Sequence, residues 1–118
     1  MNWHQVIEER SCEMHQVVAA ILRREPVRLR LVLTWTEQRL SDPEYSVHSK
    51  DALTEWLELI KAGGLPGVLE VLEDCGENAA RMRHSSPFAV IMPQDERMKI
   101  LRRHEALRPQ AGGARDRV

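Results

Sequence analysis

The 118-residue sequence predicts an all-α protein, a compact bundle of about five to six helices with a disordered C-terminal tail. Apolar residues recur at helical spacing from Trp3 through Leu22, and prolines and glycines fall where helices start and stop. One segment, residues 27–36, carries the alternation of a strand, but it has no partner strand elsewhere in the chain. An unpaired strand would leave its backbone donors and acceptors unsatisfied.

The first helix follows from Trp3, Val6, Ile7, Met14, Val17, Val18, Ile21 and Leu22, which form one stripe at i, i+3 and i+4. It is expected to stop near Glu25, because Pro26 disfavours the α conformation at the residue before it while suiting a first turn. In the contested segment apolar residues stand at 27, 29, 31, 33 and 35. The same residues supply a helical stripe at Leu29, Val32, Leu33, Thr36 and Leu40, and the segment is read as helix. Ser41 to Glu44 is a turn, and Ser46 to Ser49 offers capping hydroxyls for a third helix bearing Leu53, Trp56, Leu57 and Ile60. Gly63-Gly64 should end that helix, Pro66 should open a fourth with Gly76 as its stop, and a short fifth should cover residues 77–84. Ser85-Ser86-Pro87 breaks the chain, and Phe88 to Met92 is read as a loop plugging the core. Pro93, Asp95 and Glu96 suit the first turn of a last helix ending near Leu107. Residues 1–108 are therefore one helical domain and 109–118 a basic, disordered tail.

The length suits one core rather than two, and 42% hydrophobic with 30% charged residues is the balance of a globular chain. No apolar run approaches the roughly 18 residues of a spanning helix, so no membrane partner and a cytoplasmic location are expected. On that expectation Cys12 and Cys75 remain separate thiols with no disulfide. The net charge of −1 conceals an uneven distribution: over 42–77 Lys50 and Lys61 face nine acids, whereas 97–118 holds seven bases against Glu105 and Asp116. A basic end of this kind limits any nucleic-acid contact to an indirect one or to the tail.

Candidate chemistry is sparse. Cys12 and His15 lie three apart with donor types suited to zinc, but no paired ligand spacing recurs, so neither a metal nor a cofactor is expected. His84-Ser85-Ser86 reads as a structural turn rather than a nucleophile and base, since neighbouring residues rarely aim at one another. The Gly63-Gly64 junction is the one candidate helix-turn-helix turn, but the helix after it is acidic where phosphates would lie. Trp3, Trp35 and Trp56 are expected to be buried anchors, with any exposed one marking an interface. Arg97 and His104, separated by six residues, and Arg10 and His15, separated by four, resemble the arginine-histidine signature of HEPN ribonucleases. That resemblance implies an alternative reading, an RNA-cleaving helical enzyme using Arg97 and His104; small-ligand binding between helices is a further alternative.

A broader resemblance spans about residues 14 to 107. It is carried by the stretch from Met14 to Pro26, then Trp35, the run Trp56-Leu57-Glu58-Leu59-Ile60, the block Arg81-Met82-Arg83-His84-Ser85-Ser86-Pro87-Phe88-Ala89, and Glu96-Arg97. These resemble a small bacterial helical domain that occurs alone or behind an XRE-type helix-turn-helix regulator, in loci like toxin-antitoxin pairs with a nucleotidyltransferase-like toxin. Val90 stands where that pattern has glycine and Met98 where it has an aromatic residue. The resemblance implies a non-enzymatic, antitoxin-like interaction module that binds a protein partner, a toxin or regulator, and that can self-associate. Its implied interaction residues are Arg81, Arg83, Ser86, Pro87, Phe88 and Arg97.

Overall fold

The computed structural model describes residues 2–107, and among them the chain folds into five α-helices with no strand. The expected tail at 109–118 lies outside the described residues.

Helix α1 (Trp3–Arg24) opens with a capping box: Asn2 accepts the backbone N–H of Gln5 at 2.8 Å, and the Gln5 amide accepts that of Asn2 at 3.0 Å. It ends at Glu25, as Pro26 requires, and a single 3₁₀ turn, Pro26–Arg28, leads into α2 (Leu29–Leu40). The contested segment is thus helical. Its strand-like alternation is two helical stripes superposed: Leu29 and Leu33 pack against the core beside buried Val32 and Thr36, whereas Val27 and Leu31 stay exposed on the outer side.

Helix α3 (Val47–Glu73) is capped by Ser46, whose hydroxyl accepts from the Ser49 N–H at 3.1 Å. Its hydrogen bonding runs past the expected stop at Gly63-Gly64, but the backbone breaks there: Gly64 sits at φ 59°, ψ −158°, a conformation essentially reserved for glycine. The two lengths of α3 correspond to the third and fourth helices read from the sequence. Gly76 serves as the N-cap of α4 (Glu77–Arg83) rather than as the stop of α3, which ends at Glu73 with Asp74 as its C-cap. The expected loop at 88–92 contains a 3₁₀ turn, Phe88–Ile91, before α5 (Gln94–Glu105).

The core is one cluster that joins Trp56 with Val18, Leu22, Val32, Ile60, Val68, Leu72, Phe88 and Ile91. Trp56 and Phe88 meet edge to face with centroids 5.1 Å apart, and the buried indole N–H donates to the Met82 carbonyl at 2.8 Å. Of the three tryptophans only Trp56 is fully buried; Trp3 and Trp35 are half-buried, and arginines lie over both rings, Arg10 and Arg39 respectively.

The cysteines correct a sequence expectation. Cys12 on α1 and Cys75 after α3 are joined as a disulfide, with Cα atoms 5.7 Å apart. The packing of α1 against α3 and α4 brings the two positions together across 63 residues, a proximity that no local pattern encodes. No helix among the described residues is long and apolar enough to cross a membrane.

Two measurements check this packing. Trp56→Phe should destabilise the fold by about 2 to 3 kcal/mol in chemical denaturation, because it removes the indole bond to the Met82 carbonyl, which keeps only the Ser85 N–H at 3.2 Å, and opens space beside Phe88. Thiol titration of the unreduced, denatured chain should find no reactive cysteine, and both only after reduction.

Candidate functional site

The 83–89 segment is held against the middle of α1. At its start Arg83 is only 4% exposed, and its Nη1 donates to the Asp74 carbonyl at 2.5 Å. Its Nε–H has no acceptor among the described residues. Burial pulls the guanidinium pKa down, against which the Glu8 and Asp74 carboxylates act to hold it up.

Three residues on, the Ser86 hydroxyl accepts the Phe88 N–H at 3.2 Å, which fixes the turn that sends Phe88 into the core. The same hydroxyl lies 2.8 Å from His15 Nε2, and His15 Nδ1 lies 2.7 Å from the Ser11 carbonyl on the preceding turn of α1. A carbonyl can only accept, so Nδ1 carries the hydrogen. Burial disfavours a second proton and lowers the His15 pKa; the bond to Ser11 opposes this, and the Arg83 charge adds to it. The ring is therefore neutral, Nε2 is an acceptor, and Ser86 donates to it. The result is a hydroxyl, a neutral imidazole and an orienting carbonyl in line.

These groups border a cavity of about 170 Å³ between α1, the end of α4, the 86–92 segment and the start of α5. Met14, Val18, Phe88, Ala89 and Met92 form its apolar walls, and the polar groups on it are His15, Ser86, Arg83, His84 and Arg97. No carboxylate of the described residues lines it. On another side of Arg83 a larger cavity of about 630 Å³ has the opposite character, with Glu8, Glu9, Glu13 and Glu77 on its walls and the Cys12–Cys75 bridge beside them. There His84 Nε2 and Glu8 Oε2 are 2.8 Å apart, while the buried Glu8 Oε1 has no partner.

The six residues implied by the resemblance divide. Arg83, Ser86, Phe88 and Arg97 all border the small cavity, although Phe88 is 1% exposed and serves mainly as core. Pro87 is fully buried beside it in sequence. Arg81 goes elsewhere: it is exposed and makes a two-pronged ion pair with Glu55 of α3 at 3.0 and 2.7 Å. The Arg97 and His104 pair is also divided. Arg97 reaches the cavity with His15 and Ser86, whereas buried His104 is bonded to Glu13 at 2.7 Å, beside the Arg103–Glu13 ion pair, and does not line that cavity. His15, which the sequence set beside Cys12 as a metal donor and beside Arg10 in an arginine-histidine spacing, emerges as the partner of Ser86 across 71 residues. Cys12 is engaged with Cys75, and no group of three or more potential ligand side chains among the described residues is placed to hold a metal ion.

No protein-family model, curated protein or solved structure matches the chain.

The neutral His15 makes the fold sensitive to mild acid. Its pKa in the fold lies below the ordinary 6.5, so as pH falls below 6.5 the unfolded chain takes up the proton first and stability is lost. The carboxylates of Glu55 and Glu73, held below 4.5 by bonds to Arg81 and Arg23, lose their contribution only at lower pH. An imidazole NMR titration should give His15 a midpoint below 6.5, and His15→Gln should flatten the fall in stability between neutral pH and the carboxylate range. A midpoint at or above 6.5 would show the ring to be free or charge-paired.

Proposed function

We propose that this chain is a non-enzymatic regulatory module, antitoxin-like in character, that binds a protein partner through the outer face of the 26–28 turn and α2. The observation that carries the reading is a surplus apolar stripe: Val27 and Leu31 are 64% and 55% exposed, and half-buried Trp35 continues the four-residue spacing. The inner stripe of α2 already satisfies the core, so these side chains are not needed for folding. Exposed Arg30 adjoins Leu31 in the chain and, like exposed Arg24, has no ion pair among the described residues, unlike Arg23 and Arg28, which hold Glu73 and Glu25. An amphipathic helix with acidic flanks is the occupant this surface suits. The resemblance over residues 14–107 supports the same class of role.

The test is co-expression with the products of adjacent genes, with affinity measured by titration and self-association by sedimentation velocity. Replacing Val27 and Leu31 together by Glu should weaken partner binding at least about tenfold, since each apolar side chain contributes on the order of 1 to 2 kcal/mol when covered. Helical content and melting temperature should be unchanged. A double variant that binds as tightly as the parent chain, or a parent chain with no partner and no self-association at micromolar concentration, overturns the reading.

A further inference from the structure

We propose that the small cavity between α1 and the 86–92 segment is a binding site for a small organic carboxylate, with Arg97 and Arg83 taking its charge and the methionine-rich walls taking its apolar body. The site is separate from the α2 face and does not depend on it.

The electrostatics argue for an anion. Among the described residues no acid lines this cavity, while two arginines, Arg83 and Arg97, do. Arg97 is exposed at the edge and forms no ion pair among the described residues. Among the described residues Arg83 is buried with a single bond, to a neutral carbonyl, and an Nε–H that has no partner. Glu8 offsets its charge in part. A guanidinium held this way still has hydrogen-bonding capacity to satisfy, and an incoming carboxylate matches its planar fork.

Shape and polarity narrow the class. A cavity of roughly 150 Å³ accepts benzene, so about 170 Å³ holds one small ring or a short branched chain, leaving its charged group at the arginines. Met14, Val18, Phe88 and Met92 give such a body apolar contacts on several sides. A phosphate dianion would have to shed its hydration against these walls with nothing to replace it. The Ser86 hydroxyl and His15 ring, already bonded to each other, hold the rim in place without adding charge.

Benzoate is the probe. Added to the isotope-labelled full-length chain, it should give saturable NMR shifts at Met14, His15 and Met92, with a dissociation constant of about 1 mM or tighter. Arg97→Gln, a change at an exposed helical position, should weaken binding at least about tenfold without altering the melting temperature, and Arg97→Lys should restore part of it. Neutral benzyl alcohol and inorganic phosphate should both bind more weakly than benzoate. The proposal is overturned if benzoate produces no saturable shift at these residues, if Arg97→Gln binds as well as the parent chain, or if either comparison compound binds as tightly as benzoate.

Discussion

Once the indole of Trp56 is buried, its N–H has to find an acceptor, and the one it finds is the Met82 carbonyl near the end of α4. That bond joins the first length of α3 to α4 at a fixed angle, and the edge-to-face contact with Phe88 carries the constraint into the 88–91 turn. Because Phe88 can reach the indole only if the chain turns at Ser86, the position of the Ser86 hydroxyl follows from the core. The small cavity is therefore what remains when α1, α5 and this anchored segment close around Phe88 with methionines and arginines at the seam.

Charge follows a similar division. The basic end of α5 is held to α1 by one acid, Glu13, which receives both Arg103 and His104. Arg23 and Arg81 are matched by Glu73 and Glu55 on α3, so part of the acidic middle of the chain is spent on fixing α1 and α4 against that helix. Such exposed pairs orient helices more than they stabilise them. Arg30 and Arg97 are among the described arginines outside this matching, and each belongs to one of the two surfaces to which binding roles are assigned above.

Helix identity was largely legible in the sequence, because breakers and periodicity agree. Pro26, the Gly64 break and Pro87 each fall at a junction, and even the ambiguous 27–36 segment resolved as helix once strand pairing was demanded of it. What stayed hidden were pairings set by tertiary packing. The Cys12–Cys75 bridge and the His15–Ser86 bond join positions 63 and 71 residues apart, and no local spacing relates one to the other. The block around Ser86 was marked by likeness alone, and its neighbours on α1 became visible only when the helices were packed. Arg81 and Arg83, two residues apart, looked equivalent; helical rotation sends one to solvent and Glu55 and the other into the core.

The bond between His15 and Ser86 also bears on the order in which the chain assembles. Helices α1 to α3 build most of the apolar cluster from their own contacts, whereas the cavity wall exists only after the last third of the chain has returned to the middle of α1. Closing so long a loop costs entropy that grows only slowly with length, but it is recovered late, when Phe88 docks. The seam should therefore be among the first regions to open in native-state exchange, so that ligand access and local unfolding draw on one motion.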